Sequence, residues 1–357
     1  MRVSIRVDAS SQIGTGHFMR CLTLADALQQ RGAQARIVSR NMPEHLRDML
    51  AAKGHEFIRL VSRPREENSD RLSHAHWLGT SQHADAQDTV QVLSDQTWDW
   101  LVVDHYALDA RWESALRQTA KNILVIDDIA DRQHDCDVLL DQNFYADMDT
   151  RYAGKVPPHC QLLLGPRYAL LREEFRQLRD QVKPRIGPVK RVLVFFGGVD
   201  ADNYTACAIA ALAGLTTPDL QVDVVIGAQH PFREELEFKC AEYGFSCYVQ
   251  THRMAELMAA ADLAIGAGGS ATWERCCLGL PCIVMAIAEN QEQAAQDLAT
   301  TGAIKFVAGK SEIAAAQLER IIAETRESEW INGASLSALH LVDGQGVNRV
   351  IGVIDGR

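Results

Sequence analysis

The stretch 2-RVSIRVDASSQIGTGHFMRCLTLADAL-28 decides the class of fold. Its first six residues read as an apolar strand, Gly14 and Gly16 mark a turn, and a helix follows. From Gly16 onward the apolar positions Phe18, Cys21, Leu22, Ala25 and Leu28 keep helical spacing, so His17 falls in the first helical turn. Strand, glycine turn and helix in that order form the repeating unit of a parallel α/β sheet.

Working outward, the same rhythm recurs. Strand-like runs occur at 34-QARIVS-39, 55-HEFIRL-60, 101-LVVD-104, 123-ILVID-127, 138-VLLD-141 and 161-QLLLG-165, with helical patterns over 16–31, 43–53, 83–95 and 109–121. Residues 61–81 are polar and irregular and read as a surface loop or a poorly formed element. The prolines, glycine and basic residues of 181-QVKPRIGPVK-190 look like a linker. Beyond it the rhythm restarts, with strands at 191-RVLVFFGG-198, 220-LQVDVVIG-227, 246-SCYVQ-250, 262-DLAIGAGG-269, 282-CIVMAI-287 and 304-IKFVAG-309. Strands that are apolar throughout and alternate with helices imply parallel sheets covered on both faces. A chain of 357 residues also exceeds the usual size of one hydrophobic core. The expected architecture is therefore α/β, with two Rossmann-like domains facing a cleft. The first spans 1–165, a linker region 166–190, and the second 191–357, with its last helix free to pack back on the first.

Composition narrows the function. A net charge of −11 argues against a general nucleic-acid or anionic-membrane binder. No apolar run approaches the roughly 20 residues that span a bilayer, and Arg2, Arg6 and Asp8 interrupt any leader-like segment. The nine cysteines form no CxxC pair, and Cys276-Cys277 lies within a helical pattern, so metal-ligand and disulfide-framework readings are both weak. Reduced thiols in a cytoplasm fit this usage.

Ligands of open parallel sheets bind beyond the carboxyl ends of the strands, so the loops after strands hold the candidates. At the first, the helix mouth offers free N–H groups and a partial positive charge to an anion. That field disfavours a protonated imidazole, so His17 is read as a neutral base or, alternatively, as a packing or capping residue. The second candidate is 262-DLAIGAGGSATWERCCLGLP-281. Gly266, Gly268 and Gly269 permit close backbone approach to a diphosphate at the helix opened by Ser270. Glu274, one turn deeper, suits ribose hydroxyls; otherwise Ser270 is an N-cap and Glu274 a solvated residue. The third is 195-FFGGVDADN-203 with Gly198, where Asp200 and Asn203 either cap a helix or touch a sugar. Polar side chains also follow strands at 104-DHYALD-109, 127-DDIADR-132, 141-DQN-143 and 289-ENQEQ-293, consistent with a polar ligand.

Taken together, RVDAS, GTGHFMRCLTLA, VVDHY, IDD, LLGPRYALLREEF, FFGGVD, GAGGSATWERCCLGLP and NQEQ resemble the UDP-sugar hydrolases of pseudaminic acid biosynthesis. Those enzymes act on UDP-2,4-diacetamido-2,4,6-trideoxy-β-L-altropyranose, and the resemblance extends from residue 2 to 345-QGVNRVI-351. It implies a GT-B-like fold related to MurG-type glycosyltransferases. It also implies loss of UDP by water attack at the anomeric carbon, with inversion and without a metal or other cofactor. By the same resemblance His17 is the catalytic base, Tyr106 and Asn290 lie near the sugar or diphosphate, and Ser270 and Glu274 hold phosphate and ribose. Gly14, Gly16, Gly198, Gly268 and Gly269 complete the expected substrate-binding set. The expected partner is the UDP-sugar alone, with no nucleic acid, membrane or obligatory protein partner. A MurG-like transferase, a sibling nucleotide-sugar hydrolase of surface-polysaccharide synthesis and a non-catalytic sensor are the competing readings.

Overall fold

The structure is a computed structural model that describes residues 1–10, 12–61, 70–215, 219–286, 289–308, 311–325 and 329–356. The chain divides into two compact units. The first comprises 1–143, 147–170 and 346–357, and the second 144–146 and 171–345.

In the first unit seven strands form one sheet: β1 (Arg2–Val7), β2 (Gln34–Ser39), β3 (Glu56–Arg59), β4 (Trp98–Asp104), β5 (Ala120–Ile126), β6 (Val138–Asp141) and β7 (Gln161–Leu164). Their order is β3-β2-β1-β4-β5-β6-β7, and every pairing is parallel, with Ile5 opposite Ile37 on one side and Val102 on the other. Alternate residues fill opposite faces. Val3, Ile5 and Val7 join a core with Phe18, Leu24 and Leu28 of the helix Gly16–Gln30. Leu101 and Val103 join a second core with Trp112 and Leu116. Trp98 and Trp100 are both buried, which starts β4 three residues earlier than the apolar run 101–104 suggests. The helix expected over 109–121 ends at Leu116, because β5 already begins at Ala120. Near the chain end, the helix Gly346–Ile354 adds Val350, Ile351 and Ile354 to the first core, and Trp100 Nε1 donates to the Ile354 carbonyl at 3.1 Å.

The second unit repeats the design with β8 (Arg191–Phe195), β9 (Gln221–Ile226), β10 (Ser246–Val249), β11 (Leu263–Ala267), β12 (Cys282–Met285) and β13 (Ile304–Val307). These parallel strands run in the order β10-β9-β8-β11-β12-β13. The linker-like stretch 181–190 is fastened to this unit. Buried Arg185 donates to the carbonyls of Met258, Ala259 and Ala261 at 2.9–3.2 Å. In both sheets the strand order reverses beside the unit's first strand, at β1/β4 and at β8/β11. In open parallel sheets such reversals are where ligands bind, beyond the strands' carboxyl ends.

Candidate active site

In the first unit the reversal point holds a charged cluster. Gly14 closes the loop after β1, its N–H donating to the Ser10 carbonyl at 2.8 Å, and Gly16 opens the helix that presents His17. The last residue of the neighbouring strand β4 is Asp104, and its Oδ1 lies 2.5 Å from His17 Nδ1. Burial alone would raise the Asp104 pKa, but the charge of Arg20, with His17 beside it, holds the carboxyl well below its usual range. An ionised carboxylate only accepts, so Nδ1 is the nitrogen that carries the hydrogen of this contact, and Nε2 is the nitrogen turned away from Asp104. Arg20, one helical turn after His17, grips the same carboxylate through Nε at 2.6 Å and Nη2 at 2.7 Å. Its remaining Nη1 reaches Asp128 at 2.9 Å. His17 and Asp104 are both buried, with 8 % of the His17 surface left exposed against 1 % for Asp104.

Tyr106 joins this cluster from the loop after β4. Its hydroxyl donates to Asp128, and its ring meets the His17 ring edge-on with centroids 4.6 Å apart. Burial, with the neighbouring Asp128 charge, pushes the Tyr106 phenol well above its usual range, so it stays a neutral donor. Of the segment 61–81, residues 62–69 lie outside the described residues. The rest is not a featureless loop: a short 3₁₀ turn, Ala75–Trp77, is anchored by fully buried Leu78. It stacks Trp77 on Tyr106 at 5.5 Å and sets His74 against both rings.

At the reversal point of the second unit lie the two other glycine loops. Gly198 follows β8, and its carbonyl oxygen would stand 2.0 Å from a Cβ on Gly227, so the loop after β9 presses directly on it. Asp200 and Asn203 serve as caps. Asp200 accepts from the backbone of Tyr204 and Thr205 at 3.0 and 2.8 Å, and Asn203 accepts from Ala206 at 3.4 Å. After β11, Gly269 is the N-cap of the helix Ser270–Cys277, with φ of 94°, and Ser270 is its first helical residue rather than its cap. Gly268 sits under Gln291, whose Oε1 would lie 3.3 Å from a Cβ there. Buried Arg275 braces the loop from below by donating to the Ala267 carbonyl at 2.6 Å.

Glu274 is not a solvated helix residue. Arg172 Nη2 donates to its Oε1 at 3.1 Å. Burial raises its pKa by more than the Arg172 charge lowers it. Asn290 lies in the helix Glu289–Ala299, and its side chain is outside the described residues.

The structure therefore brings His17 and Tyr106 together and adds Asp104 and Asp128, from two of the polar loops read after strands, together with Arg20 and Trp77, to which the sequence reading gave no role. Arg20 could have been found: a cation three residues after His17 shares its helical face. Asp104 opens the polar stretch 104–109, but its pairing with His17 depends on strand order, and Trp77 lies in an aperiodic turn that carries no local signal.

Residues 191–329 match the model of the glycosyltransferase family 28 C-terminal domain. Over 85 % of its length the chain is 24 % identical to the UDP-2,4-diacetamido-2,4,6-trideoxy-β-L-altropyranose hydrolase of Campylobacter jejuni, covering 97 % of that protein. It is 23 % identical to the spore coat polysaccharide biosynthesis protein SpsG of Bacillus subtilis, over 99 % of this chain and 98 % of the other. An uncharacterised protein of Methanocaldococcus jannaschii is 22 % identical over 83 % of the chain, which spans 58 % of that relative's length. Among solved structures, MurG of Acinetobacter baumannii superposes with a TM-score of 0.65 at 17 % identity, over 100 % of this chain and 99 % of that one. The fold is thus GT-B-like, and the stretch 191–329 within the second unit is similar to the C-terminal domain of glycosyltransferase family 28.

Proposed function

We propose that the protein hydrolyses a UDP-sugar, releasing UDP by water attack at the anomeric carbon with inversion, and that the sugar is of the 2,4-diacetamido-2,4,6-trideoxy class. The observation that carries this reading is the His17–Asp104 pair at the β1/β4 reversal. Asp104 fixes the tautomer, and Nε2 is left to take a proton from water, as a general base requires. Because UDP is already a good leaving group, no general acid is needed. The diphosphate charge is met by N–H donors at the mouth of the helix Ser270–Cys277, with Gly268 and Gly269 allowing close approach. On this reading Glu274 takes the ribose hydroxyls, and Gly198, Asn290 and the backbone at Gly14 and Gly16 complete the substrate contacts. The chemistry asks for no metal or other cofactor. Among the described residues no helix is long and apolar enough to cross a membrane.

The test is to incubate pure protein with the UDP-sugar alone and measure free UDP. The family 28 match favours a second reading, a sugar transferase with the same nucleotide cradle. Such an enzyme releases UDP only when an acceptor is added, so the same assay separates the two.

A further inference from the structure

Trp77 is placed beside the base by contacts that the reaction itself does not require. Its ring stacks on Tyr106 at 26° and 5.5 Å, receives His74 edge-on at 4.5 Å, and stands perpendicular to the His17 ring at 6.4 Å. The turn that carries it is pinned by the Trp77 N–H to the His74 carbonyl at 2.9 Å and by Leu78 in the core. Trp77 nevertheless remains partly exposed, whereas Tyr106 is buried. A rigidly held indole with apolar surface left open beside a general base is a platform for the C–H face of a bound ring, and carbohydrate pockets of this kind are built from aromatic walls with few polar groups.

An indole face also discriminates. It gains by contact with a methyl group and forces any hydroxyl laid on it to give up water without a hydrogen bond in return. We propose that Trp77 is a specificity-determining residue that stacks on the sugar of the UDP-sugar and selects for a 6-deoxy, methyl-bearing sugar over its 6-hydroxy counterpart. This rests on the reading of the His17 loop as the sugar-cleaving site.

The experiment compares Trp77→Phe, Trp77→Leu and Trp77→Ala with the wild type on a UDP-linked 6-deoxy diacetamido sugar and on the same UDP-sugar carrying a 6-hydroxyl. Trp77→Phe keeps most activity. Trp77→Leu and Trp77→Ala lose about 10- to 100-fold in kcat/KM, mainly through KM, and the preference for the deoxy sugar shrinks by about tenfold. UDP affinity, measured by calorimetry, stays unchanged in all three. Leucine matching phenylalanine, or a preference that survives alanine, overturns the proposal.

Binding supplies a readout that does not depend on turnover. In a His17→Asn background the deoxy UDP-sugar, but not UDP, changes the fluorescence contributed by Trp77, defined as the difference from the Trp77→Phe protein. A fluorescence response without any hydrolysis by the wild type upholds the role of Trp77 and removes the hydrolase reading. Hydrolysis without a response does the reverse.

Discussion

His17 and Asp104, 87 positions apart in sequence, meet at 2.5 Å because β1 and β4 are neighbours in the sheet. The pairing supplies one hydrogen bond with two consequences: it orients the ring, and it leaves Nε2 as the nitrogen free of Asp104. Replacing His17 by Asn keeps a hydrogen-bonding amide but removes the proposed base. Turnover is expected to fall about 10²–10⁴-fold while UDP binding stays near normal. A His17→Asn protein with near-normal turnover returns this residue to a packing role.

Asp104→Asn tests the orientation itself. The amide no longer selects the Nδ1–H tautomer, and kcat is expected to fall by about 10²–10⁴-fold with little change in KM. The substitution also strips Arg20 of its main counter-charge in a buried place, so the melting temperature falls as well. A loss of stability with kcat intact shows that the pair holds the fold and not the reaction.

The route of cleavage is read in ¹⁸O-labelled water. Attack at the anomeric carbon puts the label in the sugar's hydroxyl and none in UDP. Label in UDP means attack at phosphorus, and the general base would then be serving a different bond. Activity is also expected to survive EDTA; loss on chelation with recovery on adding Mg²⁺ or Mn²⁺ overturns the metal-free mechanism.

Glu274 and Arg172 give a prediction about the nucleotide. If Glu274 bonds the ribose, Glu274→Ala weakens UDP binding by about 1.5–3 kcal/mol. Calorimetry that finds UDP affinity unchanged assigns the carboxylate to Arg172 alone.

A pH effect on stability follows from His134. Burial lowers its pKa, but Glu113 at 2.8 Å and Asp127 at 3.7 Å outweigh that and raise it to about 9. Its unfolded value is ~6.5. A raised pKa means the folded state holds the extra proton, so this contribution is complete below ~6.5 and is lost as pH climbs through about 9. The wild type is expected to lose its stability advantage over His134→Gln across that window, by at most about 3 kcal/mol. A difference in denaturation midpoints that does not change between pH 6 and pH 10 contradicts the assignment.

Much of this was legible along the chain. The apolar runs and helical spacing locate β1, β8 and β11 and the helices after them, because burial on both faces of a parallel sheet leaves a local, periodic mark. The polar loops after strands, including His17, Tyr106 and Gly268-Gly269-Ser270, follow from the same rhythm. Other features have no local mark. Whether Asp104 stands beside His17 depends on which strand lies next to β1. Whether Glu274 is solvated or paired depends on Arg172, 102 residues away. Trp77 lies in an aperiodic segment, so only its packing against Tyr106 gives it a place. Periodicity reports which face of an element is buried, and the sequence by itself determined that. Charge pairing and ring stacking need two distant groups within a few ångströms, and only the order of the strands in the folded sheet decided which groups those are.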